Sequence, residues 1–94
     1  MHYPTENHYS PSLTLYGRPN CVQCTATERV LNALGLPFKK IDLSLDTGAI
    51  SYLSAAGFKG LPVVEVDGVL EWAGFDPEKL RALKERPDSI WSEA

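Results

Sequence analysis

From Leu13 onward the apolar residues run at two alternating periods, and the switches between them mark the elements. Leu13-Thr14-Leu15-Tyr16 alternates and is bounded by Gly17 and Pro19, which predicts a first strand. Val22, Ala26, Val30 and Leu34, with Leu31 beside them, then fall at helical spacing until Gly35 and Pro37 stop the run. Phe38 to Leu43 returns to period two, with Ile41 and Leu43 on one face and Lys40 and Asp42 on the other. A second helix carries Ile50, Leu53 and Ala56, capped by Asp46 or Thr47 and ended by Gly57. Leu61 to Val66 and Val69 to Trp72 flank Asp67-Gly68, a pair suited to the positive φ angles of a type I′ hairpin turn. Asp76-Pro77-Glu78 opens a last helix with Leu80 and Leu83 on its buried stripe, before Pro87. The predicted order is β-α-β-α-β-β-α, an α/β domain over 13–94. Residues 1–12 hold two Pro, two His and two Tyr without periodicity and are expected to form a flexible extension.

Composition narrows the classes of function. The chain has 94 residues, 44% of them hydrophobic, which suits one domain with a modest core. Its net charge is −3 and its nine Lys and Arg are scattered, so nucleic acid is not an expected partner. No apolar stretch approaches a membrane span, and the first residues lack the basic and apolar regions of a secretory signal. A cytoplasmic location is therefore expected. In that reducing compartment, cysteines at short spacing serve catalysis or metal binding more often than they staple a fold.

The only cysteines are those of Cys21-Val22-Gln23-Cys24, placed between the first strand and the first helix. This spacing lets a small disulfide close and reopen. A thiolate at a helix N-terminus is favoured by unpaired N–H groups and the helix dipole, which makes Cys21 the expected nucleophile. Cys24, one turn further on, is the expected resolving thiol. Arg18 either adds positive charge near the sulfur or is an ordinary solvated cation, and no acidic residue lies between Leu13 and Thr27 to oppose it. Pro62 cannot donate to a ladder at the start of its strand, so it implies a special backbone, with a cis bond as one form. Beside it, the Leu61 backbone offers a pairing edge to an extended substrate segment. A metal module is the alternative from another class: the cysteines supply two ligands of four, and His2 and His8 could complete the set.

From Leu13 to about Arg86 the chain resembles the thioredoxin-fold glutaredoxins, and among them the NrdH-redoxins. Three segments carry the resemblance: Cys21-Val22-Gln23-Cys24, Gly57-Phe58-Lys59-Gly60-Leu61-Pro62-Val63-Val64, and Trp72-Ala73-Gly74-Phe75-Asp76-Pro77. It implies a thioredoxin fold with a four-stranded mixed sheet and three helices. It also implies a redox carrier that holds no bound cofactor and cycles a Cys21–Cys24 disulfide. Electrons would come from NADPH through thioredoxin reductase and pass to a disulfide of class Ib ribonucleotide reductase. Val22, Gln23, Trp72, Gly74, Phe75 and Asp76 become, on the same ground, expected partner-binding residues beside Leu61, Pro62 and Arg18. Two positions depart from the pattern, Ala73 replacing its serine and Asp76 its basic residue. Asp76 falls where many glutaredoxins place an acid that contacts glutathione, so a glutathione-dependent glutaredoxin is the competing reading.

Overall fold

The computed structural model describes residues 11–85. Along the chain run β1 (Leu13–Gly17), α1 (Val22–Ala33), β2 (Phe38–Asp42), α2 (Thr47–Ala55), β3 (Val63–Val66), β4 (Val69–Ala73) and α3 (Pro77–Glu85). One sheet has the strand order β2-β1-β3-β4, with β2 parallel to β1 and the other two pairings antiparallel. This is the thioredoxin fold, in the element order its sequence predicts. Most of the stretch expected to be a flexible extension, and the chain beyond Glu85, lie outside the described residues. Of that stretch, Pro11 is buried, and Ser12 and Asp67 exchange two 2.8 Å hydrogen bonds at the β3–β4 turn.

Alternation within the strands divides the core between the two sheet faces. Leu13, Leu15, Val64, Val66 and Trp72 pack against Leu31 of α1 and Leu80 and Leu83 of α3. On the other face Tyr16, Val63 and Leu43 pack against Ala49 and Leu53 of α2. Leu15, Leu31, Val63, Val64, Leu80 and Leu83 are essentially inaccessible to solvent. Glu65, on the α2 face, has its carboxylate satisfied by two phenols, Tyr16 donating at 2.9 Å and Tyr52 donating to the second oxygen.

Helix ends follow local chemistry. Asp46 Oδ1 accepts the Ala49 N–H at 2.9 Å to cap α2, and Asp76 Oδ1 accepts the Lys79 N–H at 3.1 Å ahead of α3. Gly35 closes α1 at φ 73°, where its neighbour's N–H reaches back from Leu36 to Leu31 O. Lys84 Nζ donates to Leu34 O at 2.8 Å and ties α3 to that same end. Asp67 (φ 51°) and Gly68 (φ 85°) form the hairpin turn expected of them.

Burial singles out only part of each apolar set. Val22, the first of the helically spaced residues of α1, is 84% exposed, because the inward face is Cys24, Thr27 and Leu31. On α2 the buried residues are Ala49 and Leu53, while Ile50 and Ala56 face outward. In β4 the register slips: Val66 pairs with Val69 and Glu65 with Leu70, but Val64 pairs with Trp72. Glu71 is the extra residue of this bulge. Without it Glu71 would stand opposite Val64 over the α1/α3 core, and Trp72 would face away.

Candidate active site

Gly17 ends β1, and Arg18, Pro19 and Asn20 carry the chain over the end of the sheet to α1. Asn20 takes φ 60°, a left-handed conformation that asparagine tolerates. The turn delivers Cys21 to the N-cap position with extended backbone, φ −112° and ψ 109°. Its Sγ accepts the Cys24 N–H at 3.2 Å, taking the place a serine or aspartate oxygen holds at an ordinary helix start. The first turn of α1 contains no acidic residue. Unpaired N–H groups and the helix dipole therefore act on this sulfur without local opposition.

The two sulfurs sit in unequal surroundings and are joined as a disulfide. Cys21 is partly exposed, whereas Cys24 is 3% exposed on the inward face of α1. Next to it on that face, Thr27 is fully buried and donates its hydroxyl to Gln23 O at 2.8 Å. Gly17 passes directly behind Cys24: a β-carbon built on it would lie 2.9 Å from Sγ.

Two further segments converge on the pair. The Leu61–Pro62 bond is cis, Pro62 is buried, and Pro62 O accepts the Gly74 N–H at 2.7 Å. Gln23 reaches across to the same loop, its Oε1 accepting the Phe75 N–H at 2.9 Å. Gly74 turns there at φ 96°, with Gln23 Oε1 3.6 Å from where its β-carbon would stand. The cysteine motif, the cis-proline and the glycine loop are thus one hydrogen-bonded assembly. Phe75 and Val22 are its exposed apolar side chains. Trp72, at 7% exposure, belongs to the core, with Lys79 Nζ 5.6 Å above its ring. Its indole Nε1 finds no hydrogen-bond partner among the described residues. Asp76 uses one carboxylate oxygen, Oδ1, for the α3 cap.

Arg18 lines an apolar cavity of about 330 Å3 with Leu43, Ile50, Leu53, Phe58 and Leu61, and a smaller polar one of about 210 Å3 with Asn20, Thr25, Glu28, Lys40 and Asp42. Glu28 and Lys40 pair there at 3.1 Å. Cys21 instead lines an open cleft of about 490 Å3 with Val22, Thr25, Ala26 and Arg29. Arg29 is a cation of this cleft that the sequence reading did not single out. Its signal was helical spacing, since 22, 25 or 26, and 29 share one face of α1. Among the described residues no cluster of His, Cys, Asp or Glu could hold a metal ion; His2 and His8 lie outside them.

Fold and site together define a glutaredoxin-class protein, and comparison with known proteins agrees: the chain belongs to the glutaredoxin family, whose model matches residues 13–71. Its relatives narrow this to the NrdH branch. It is 42% identical over 76 residues to the glutaredoxin-like protein NrdH of Salmonella typhimurium, covering 81% of this chain and 93% of that one. To the Escherichia coli protein of the same name it is 40% identical over 75 residues, covering 80% and 91%. The solved structure of NrdH-redoxin from Escherichia coli, a glutaredoxin-like protein described as having a thioredoxin-like activity profile, superposes with a TM-score of 0.72. It is 38% identical and covers 77% of this chain and 93% of that one. No helix among the described residues is long and apolar enough to cross a membrane.

Proposed function

We propose that this chain is a cytoplasmic dithiol carrier that reduces a disulfide of class Ib ribonucleotide reductase and is itself re-reduced by thioredoxin reductase with NADPH. The observation that carries the reading is the asymmetry of the pair, with Cys21 at a helix start and partly exposed and Cys24 buried one turn inward. The Cys21 thiolate attacks one sulfur of the partner's disulfide; a bond forms between them and the other partner sulfur leaves as a thiolate that takes up a proton. The Cys24 thiolate then attacks Cys21 Sγ. The Cys21–Cys24 bond closes, the second partner sulfur leaves, and two electrons have passed to the partner. No bound cofactor takes part. Leu61, Val22 and Phe75 form the rim on which the partner's segment lies, its backbone pairing with that of Leu61 ahead of the buried Pro62. Arg29, which lines the same cleft as Cys21, and Arg18, on the approach to the motif, are the cations the partner meets beside the sulfur.

The kinship with NrdH proteins supports the partner assignment, and the thioredoxin-like activity profile described for the Escherichia coli protein supports thioredoxin reductase over glutathione as the electron source. The test reduces the oxidised protein with thioredoxin reductase and NADPH, and in parallel with glutathione and glutathione reductase. Fast turnover by the first and slow by the second is expected. Equal or faster reduction by glutathione would make the chain a glutathione-dependent glutaredoxin. Transfer to the ribonucleotide reductase should vanish in Cys21→Ser, while Cys24→Ser should accumulate a mixed disulfide through Cys21; retained transfer in Cys21→Ser would refute the assigned nucleophile.

A further inference from the structure

Gly17 is a buried strand residue that its own backbone does not require. Gly35, Gly57, Gly68 and Gly74 occupy positive φ, whereas Gly17 does not. It pairs in register with Asp42 of β2, and its carbonyl accepts the Leu43 N–H at 2.8 Å. Any L-residue could hold that conformation, and a glycine in a strand costs about 0.5–1 kcal/mol in chain entropy relative to alanine. Such a glycine marks a place where something approaches closely. Here it is Cys24: a β-carbon at position 17 would stand 2.9 Å from Sγ and 3.3 Å from Cβ of that residue.

We propose that Gly17 is a positioning residue, reserving the volume that Cys24 Sγ occupies when the disulfide is closed. The two redox states use that volume differently. In the disulfide, Sγ is bonded to Cys21 and cannot turn aside; in the dithiol, Cys24 rotates about χ1 and can relieve a contact. A side chain at 17 therefore raises the energy of the oxidised protein more than that of the reduced one. The resolving step is affected in the same sense, because Cys24 must return to this position as its bond to Cys21 forms and the bond from Cys21 to the partner sulfur breaks. The inference rests on the reversible opening of the Cys21–Cys24 pair proposed above, but not on which partner receives the electrons.

Equilibrating Gly17→Ala and the parent protein in graded glutathione buffers, and reading free thiols by alkylation, tests it without any partner enzyme. Gly17→Ala should favour the dithiol about ten-fold more than the parent does, equivalent to about 30 mV for this two-electron couple. An equilibrium within about two-fold of the parent would overturn the proposal. Stability supplies the second arm, because it separates the sulfur contact from a general role in the strand. Gly17→Ala should be tolerated better in a Cys24→Ala background, where Sγ is gone, than in the parent. If the substitution destabilises both backgrounds equally, or neither folds, the glycine serves the strand alone and the proposal fails. A normal Gly17→Ala shift in a protein that thioredoxin reductase cannot reduce would overturn the proposed function and leave this inference standing.

Discussion

Tyr16 shows how much one side chain sets in this molecule. Burial, the hydrogen bond to Glu65 and the charge of that carboxylate all push its phenol well above the ordinary tyrosine range. The hydrogen bond to Glu65 does the same, first among its causes, for Tyr52. A group whose folded pKa is raised contributes stability that is full below the unfolded value, about 10, and is lost as pH rises beyond it. The protein should therefore weaken above about pH 10, and Tyr16→Phe should flatten that loss. Denaturant midpoints at pH 8 and 11 check this, and an identical pH slope in parent and variant would contradict it. Gln23 is a second such residue. Removing its acceptor in Gln23→Ala should cost about 1 kcal/mol of local order and speed exchange of the Phe75 amide about five-fold, measurable by hydrogen exchange. Unchanged exchange would mean that the loop holds itself.

Among the elements, α3 joins the core through two leucines. Leu80 and Leu83 are both essentially inaccessible, and Asp76 caps the helix that presents them. Leu80→Ala should cost about 3 kcal/mol and Asp76→Ala about 1 kcal/mol in urea unfolding. If Asp76→Ala proved neutral, the carboxylate would be available for something other than the cap. Element boundaries were legible wherever the signal was local. The Asp67-Gly68 turn, the Asp46 and Asp76 caps and the Gly35 stop each depend on the chemistry of a few adjacent residues. What escaped depends on neighbours distant in sequence. Apolar spacing along α1 does not by itself tell a core residue from Val22, an exposed rim residue beside a reactive sulfur. The β4 bulge was hidden because Leu70 and Trp72 keep regular alternation, yet Trp72 must face Val64 while Leu70 packs on the other side.

At the scale of the whole molecule, the candidate site is a meeting of segments spread over most of the domain, from Gly17 to Phe75. The cysteine pair, Pro62 and the glycine loop were each visible in sequence as a motif. Their assembly through Gln23 and Pro62 O was not, since nothing in either segment names its partner. A carrier must keep this arrangement in both redox states. The disulfide closes a loop of only a few residues, so opening it removes about 2 kcal/mol of chain-entropy stabilisation by the loop-closure model. The two-faced core should outlast that loss. The reduced protein should unfold cooperatively at a melting temperature about 10 °C lower, followed by circular dichroism with and without dithiothreitol. Loss of a cooperative transition on reduction would show that the bridge holds the fold up.

The clasp between Ser12 and Asp67 lies at the opposite pole of the sheet from the sulfurs, because β1 runs its full length, roughly 16 Å, between them. A label or an electrode linker attached at the β3–β4 turn beside that clasp leaves Cys21 facing outward, which makes this end of the sheet the natural handle for wiring the protein to a surface and reading its electrons directly.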